Sequence, residues 1–127
     1  MPDKVRRAAY AAMRWREPAI PVADITFDSV MEDGGTLKPR RVRFEAPDCV
    51  VEIVVTMQSG RMAWTLVLTP AHEYDLVIRR DGGRSRRVTT DAQGHALVTR
   101  APQGIVSVLV LRSGSDTPIA RTAWVPF

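Results

Sequence analysis

The residues to weigh first for chemistry are two histidines, one cysteine and a dense set of arginines. His95 follows Asp91 by four positions in "TTDAQGHALVT", a spacing at which a carboxylate could orient an imidazole as a base. Such a base needs a nucleophile to serve, and no serine or cysteine sits in a nucleophile motif nearby. The same letters read more simply as a chain reversal. Asp91 would accept backbone hydrogen bonds at the turn entry, and Gly94 would supply a positive φ at its exit. "APQG" then turns the chain again, with Pro102 fixing φ and Gly104 releasing it. His72, in "TPAHEYD", falls in a loop before the next strand. Catalysis is not expected.

Metal and cofactor chemistry finds no better footing. Cys49 is the one cysteine, so no internal disulfide can form, and no Cys/His set has zinc spacing. Its place in "PDCVVEIVV", at the start of an apolar run, predicts a small buried side chain. The carboxylates are scattered, with neither the spacing of a calcium loop nor that of a hydrolase pair. "RDGGRSRR" sets glycines beside arginines but lacks the lysine and the strand-to-helix context of a phosphate-binding loop. No cofactor is expected.

The arginines are the strongest chemical feature. Lys and Arg total 18 against 14 Asp and Glu, a formal net charge of +4, which favours an acidic or phosphate-bearing partner. Arg79, Arg80, Arg84, Arg86 and Arg87 cluster on one expected hairpin, with Arg40, Arg41 and Arg43 on an earlier strand. The hairpin is a candidate anion-binding site. It carries no aromatic residues for base stacking, which disfavours nucleic acid as a partner. Phosphate contact without base readout stays open, and so does a solvated charge pattern that protects a sheet edge.

Two kinds of element must position these residues. "PDKVRRAAYAAMRWREP" predicts a helix: Asp3 can cap its first turn, alanines favour its middle, and Pro18 stops it. Its apolar stripe includes Val5, Ala9, Ala12 and Met13, with Arg6, Arg7 and Arg14 largely on the remaining surface. A helix this short must pack on something, either its own domain or a partner protein, and Trp15 is the candidate interface anchor. "EPAIPVA", residues 17–23, reads as an extended linker, so residues 1–23 form an appendage and residues 24–127 the main domain.

From "DITFDSVM" onward the period is two. Ile25 and Phe27 alternate with Thr26 and Asp28, "EDGGTLKP" turns, and about eight or nine short strands follow, separated by turn signals such as "QSG" and "DGG". "QSG" reads as a three- to four-residue hairpin loop. Trp64 and Trp124 are placed on strands as core residues. The fold class is mainly β, an antiparallel sandwich with one N-terminal helix. No apolar run approaches the roughly 20 residues of a membrane span, and Arg14 and Arg16 interrupt any signal core, so a cytoplasmic location is expected.

The stretch "EYDLVIRRDGGRSRRVTTDAQGHALVTRAPQGIVSVLVLR" resembles the carboxypeptidase-regulatory-like and transthyretin-like sandwiches, with Thr90, Asp91, Gly94, Pro102 and Gly104 matching their strand–turn pattern. The whole chain is similar to a narrower family, small actinobacterial proteins encoded beside extracytoplasmic-function sigma factors, often with a CHAT or subtilisin-type protease gene nearby. "PDKVRRAAYAAMRW", "ADITFDSV" and "RVRFEAPDCVVEIVV" carry that similarity; Met13, where an aromatic is usual, and the basic hairpin depart from it. The resemblance implies a non-catalytic, anti-sigma-like regulator whose helix lays Val5, Ala9, Ala12, Met13 and Trp15 on the sigma factor while Arg6, Arg7 and Arg14 meet acidic residues. A basic protein cannot imitate DNA, so occlusion of a polymerase-binding surface is the implied route. A scaffold role, or service as a target of the neighbouring protease, is the other expectation.

Overall fold

The computed structural model describes residues 20–30 and 39–127. The expected helix and its docking residues 5 to 15, and most of the expected "EDGGTLKP" turn, lie outside these. Within the described residues 62% lie in strands, and the sheet curls into a nearly closed, barrel-like form. No helix among the described residues is long and apolar enough to cross a membrane.

Ten strands follow in chain order. They are β1 Val22–Asp28, β2 Arg40–Glu45, β3 Val50–Gln58, β4 Arg61–Thr69, β5 Tyr74–Arg80, β6 Ser85–Thr89, β7 His95–Val98, β8 Ile105–Arg112, β9 Pro118–Thr122 and β10 Val125–Pro126. They pair in the order β6-β5-β8-β9-β1-β2-β3-β4-β7, with β10 added to β8. The expectation of a wholly antiparallel sheet needs one correction: Val22 and Ala23 of β1 run parallel to Arg121 and Thr122 of β9. The same strand then pairs antiparallel with β2, so β1 joins the two halves of the sheet. Val22 and Ala23, read as the end of a linker, thus belong to the sheet; Ala23 is fully buried, because a small residue fits where the two halves meet.

Alternation explains the interior. Val51 and Ile53 of β3, Leu66 and Leu68 of β4, Leu76 and Ile78 of β5, and Val106, Val108 and Val110 of β8 all point inward, around Trp64 and Phe44. Each such side chain stabilises the fold by about 1.5–3 kcal/mol relative to exposure. At the β4-to-β5 corner Tyr74 is buried, and its hydroxyl donates to the Pro70 carbonyl at 2.7 Å. Its backbone N–H donates to Thr90 Oγ1 at 2.9 Å, which ties the corner to the end of β6.

Local chemistry moved three expected features. The β3–β4 loop is the two-residue Ser59–Gly60, shorter than expected, and both residues have positive φ (52° and 78°), the primed turn that matches strand twist. In β1 the register shifts between Ile25 and Phe27. The extra residue leaves Phe27 opposite Arg43 on the outer face and Asp28 opposite buried Val42, so Phe27 ends up exposed; Ile25, which precedes the shift and pairs with buried Phe44, is exposed as well. Trp124 is not a core residue on a strand. Ala123 and Trp124 form the break between β9 and β10, Val125 takes the interior position, and the indole turns outward, 46% exposed. Side chains of β8 and β9 bridge that break: Ser107 Oγ donates to the Thr122 carbonyl at 2.8 Å, and Val108 N–H donates to Thr122 Oγ1 at 2.9 Å.

Candidate functional site

Asp91 is a turn residue, as its position in the sequence predicts. Its Oδ1 accepts the backbone N–H groups of Gln93 (2.8 Å) and His95 (3.0 Å). The bond from His95 N–H is the main reason the carboxyl is held below its usual range; desolvation opposes it and the Gln93 N–H assists. The contact to His95 is therefore made by its backbone. Gly94 has φ +84°, and a Cβ there would collide with the Leu68 carbonyl, so glycine is required twice over. His72 lies edge-on to the Tyr74 ring, centroids 6.1 Å apart. Cys49 is buried, and desolvation raises its thiol pKa, which opposes thiolate chemistry. Among the described residues, no three His, Cys, Asp or Glu stand close enough to share a metal ion.

The arginine hairpin is β5–β6, and its two faces separate the five candidates. Ile78 and Arg86 are directly paired across it, so Arg86 shares the inward face, as does Arg80, two residues beyond Ile78. Arg79 and Arg87 belong to the opposite face. Arg79 lies over the Trp124 ring at 5.4 Å and donates to Ser107 Oγ at 3.3 Å. Arg86 Nη1 donates to the carbonyls of Thr99 (2.8 Å) and Arg100 (3.2 Å), just past β7. The two end strands of the sheet are thus stapled by one guanidinium.

At the mouth of the curled sheet this geometry opens a cleft of about 640 Å³, walled by Ile78, Arg80, Arg84, Arg86, Arg100 and Pro102. Two smaller hollows adjoin it. One, about 390 Å³, shares Arg80 and Arg100 and adds Arg61; the other, about 260 Å³, shares Arg61 and Arg100. Arg61 and Arg100 were not anticipated as part of this site, because each stands alone at a loop or strand end in the sequence. Arg100 also has φ +50°, a conformation that costs a non-glycine residue on the order of 1 kcal/mol. That backbone turn accompanies the Thr99 and Arg100 carbonyls meeting Arg86, and the next N–H, of Ala101, donates to the Met62 carbonyl at 2.8 Å.

A second opening is apolar. A groove of about 560 Å³ is lined by Ile25, Val30, Trp124, Val125, Pro126 and Phe127, with Asp28 and Arg40 in its wall. Arg40 makes two bonds to Asp28, Nε to Oδ1 at 3.1 Å and Nη2 to Oδ2 at 2.7 Å, and a third to the Pro126 carbonyl at 2.8 Å. Its guanidinium stacks on Phe127 at 4.8 Å, and Phe127 in turn packs on buried Trp64. The Arg40 bond is the main reason the Asp28 carboxyl is held below its usual range; burial opposes it and the Val30 N–H assists. Nothing in "TAWVPF" predicted that its tryptophan would stand open at this groove, since the sequence pattern did not show the two-residue break before it.

No protein-family model matches the chain, and no curated protein or solved structure is significantly similar to it.

Proposed function

We propose that this chain is a non-catalytic protein-binding regulator, acting in the cytoplasm on an extracytoplasmic-function sigma factor. The observation that carries the binding role is the apolar groove, where Ile25, Val30 and Trp124 are 42%, 40% and 46% exposed around one opening. Large apolar side chains gathered in this way mark an interaction surface more often than scattered ones do. The sigma factor as partner rests on the family resemblance. The occupant of the groove is an apolar segment of that partner flanked by carboxylates, in keeping with the net charge of +4.

Residues 5 to 15 supply the second contact, with Trp15 as its anchor, and bulk from the β domain occludes a polymerase-binding surface. We read the domain as a sandwich of the transthyretin or carboxypeptidase-regulatory type. Two features support this: the halves β6-β5-β8-β9 and β2-β3-β4-β7 meet through β1, and Tyr74 bonds back across the corner between them.

The test is binding of the purified chain to a purified extracytoplasmic-function sigma factor of the same organism. Trp124→Ala and Trp15→Ala are each expected to weaken it by roughly 30-fold or more, the size of a buried tryptophan anchor. No binding, or affinity unchanged in both variants, refutes the proposal.

A further inference from the structure

We infer that the arginine-walled cleft at the mouth of the sheet is a binding site for a compact oligophosphate. Arg61, Arg80, Arg84, Arg86 and Arg100 reach it or its adjoining hollows from the start of β4, the β5–β6 hairpin and the loop after β7. Among the described residues no carboxylate pairs with any of the five; the ion pairs described there are those of Arg40, Arg41 and Arg43. Like charges gathered without counter-charges repel one another, so the arrangement costs stability unless an anion occupies it. On β2, Arg41 and Arg43 share Glu52 of β3, so this chain elsewhere places carboxylates beside its arginines.

The backbone makes room for one of these cations. A Cβ on Gly83 would fall 2.7 Å from Arg80 Nε, and one on Gly104 would lie 3.7 Å from Arg80 Cδ. Gly83 thus lies close beneath the Arg80 guanidinium, and Gly104 beside its aliphatic stem, along the cleft wall. Gly83 lies outside the left-handed region, and a Cβ there would oblige the Arg80 side chain to shift from its present place. Arg86 is held by two carbonyls, which leaves Arg80, Arg84, Arg100 and Arg61 to meet a ligand.

The chemistry of the wall selects the ligand. Guanidinium groups present paired N–H donors that match phosphate oxygens two at a time, and several of them around one hollow match several phosphates in series. No aromatic ring lines the cleft or its adjoining hollows, so nothing there stacks on a base. A concave site also suits a short chain of phosphates better than the convex backbone of a duplex.

The experiment is calorimetric titration of the full chain with sodium tripolyphosphate, ATP and a random DNA duplex, at about 150 mM salt to screen diffuse attraction. Tripolyphosphate is expected to bind at one site. Arg84→Ala and Arg100→Gly should each weaken it about tenfold or more, the latter while keeping a residue that tolerates the left-handed backbone. Gly83→Ala removes no charge and displaces Arg80, so it should weaken binding with melting temperature nearly unchanged. Arg87→Ala, on the outer face of the same hairpin, should leave affinity within about twofold. Equal affinity for ATP assigns recognition to the phosphate chain alone, and tighter ATP adds a nucleoside contact to the same site. The inference is overturned by absent tripolyphosphate binding, by equal losses in Arg84→Ala and Arg87→Ala, or by a duplex held more tightly through the same arginines. None of these results touches the apolar groove, so sigma-factor binding stands or fails separately.

Discussion

Replacing Asp28 by alanine removes three bonds at once: two to Arg40, at 2.7 and 3.1 Å, and one from the Val30 N–H at 3.1 Å. The carboxylate is 9% exposed and the arginine 21%, so the variant leaves a largely desolvated cation behind. Breaking a buried pair on one side costs about 3–5 kcal/mol. Arg40 keeps the Pro126 carbonyl and the Phe127 ring, which places the loss at the lower end, about 3 kcal/mol. For a domain of this size that lowers the melting temperature by about 10 °C. Asp28→Asn keeps the shape and one acceptor, and should cost about half as much. The sign with pH is set by the depressed carboxyl pKa in the folded state. Its contribution is complete above the unfolded value of about 3.9 and is lost as pH falls through the folded value. The stability gap between the native chain and Asp28→Asn should therefore be flat near neutrality and close below about pH 4. Urea unfolding followed by tryptophan fluorescence measures both quantities, and the Asp28→Ala, Arg40→Ala cycle isolates the pair. A loss under about 1 kcal/mol in Asp28→Ala, or a gap that widens in acid, refutes this account.

Three further outcomes are expected. Tyr74→Phe deletes the 2.7 Å bond to Pro70 and should cost about 1 kcal/mol in urea unfolding, with the core otherwise kept. Gly94→Ala forces a Cβ into the Leu68 carbonyl at φ +84° and should cost at least about 2 kcal/mol, visible as a lowered denaturation midpoint. Cys49, buried and with its thiol pKa raised, should react with a disulfide reagent at pH 8 only after denaturant is added; prompt reaction in the native state would contradict the structure.

What the sequence carried into the fold was local. Strand-type runs between turn signals marked out β3, β4, β5 and β8, and "TDAQG" named a turn whose Asp and Gly do what those residue types do elsewhere. The "SG" pair also announces a two-residue primed loop, but the loop length read from it was too long. Failures came where alternation was interrupted by one or two residues. The β1 bulge turned Phe27 outward, and the Ala123–Trp124 break did the same for Trp124. A single extra residue reverses every following side chain, and composition gives no warning of it.

The same limit explains why the cleft was half visible. Arg80, Arg84 and Arg86 lie close together in the chain, so a count of charges found them, along with Arg79 and Arg87, which the pleat sends to the opposite face. Arg61 and Arg100 join them only because β4 and β7 pair and the sheet curls until β6 nears the end of β7. That closure is made by Arg86, one of the charges it gathers. Removing Arg86 should therefore do two things that removing Arg84 does not: loosen the contact between the end strands and separate Arg100 from Arg80. Hydrogen exchange at the N–H groups of Ala96 to Val98, whose strand pairs with β4 alone among the described residues, would report the first effect. Protection lost in Arg86→Ala and kept in Arg84→Ala would assign the staple to Arg86, and equal protection in both would deny it.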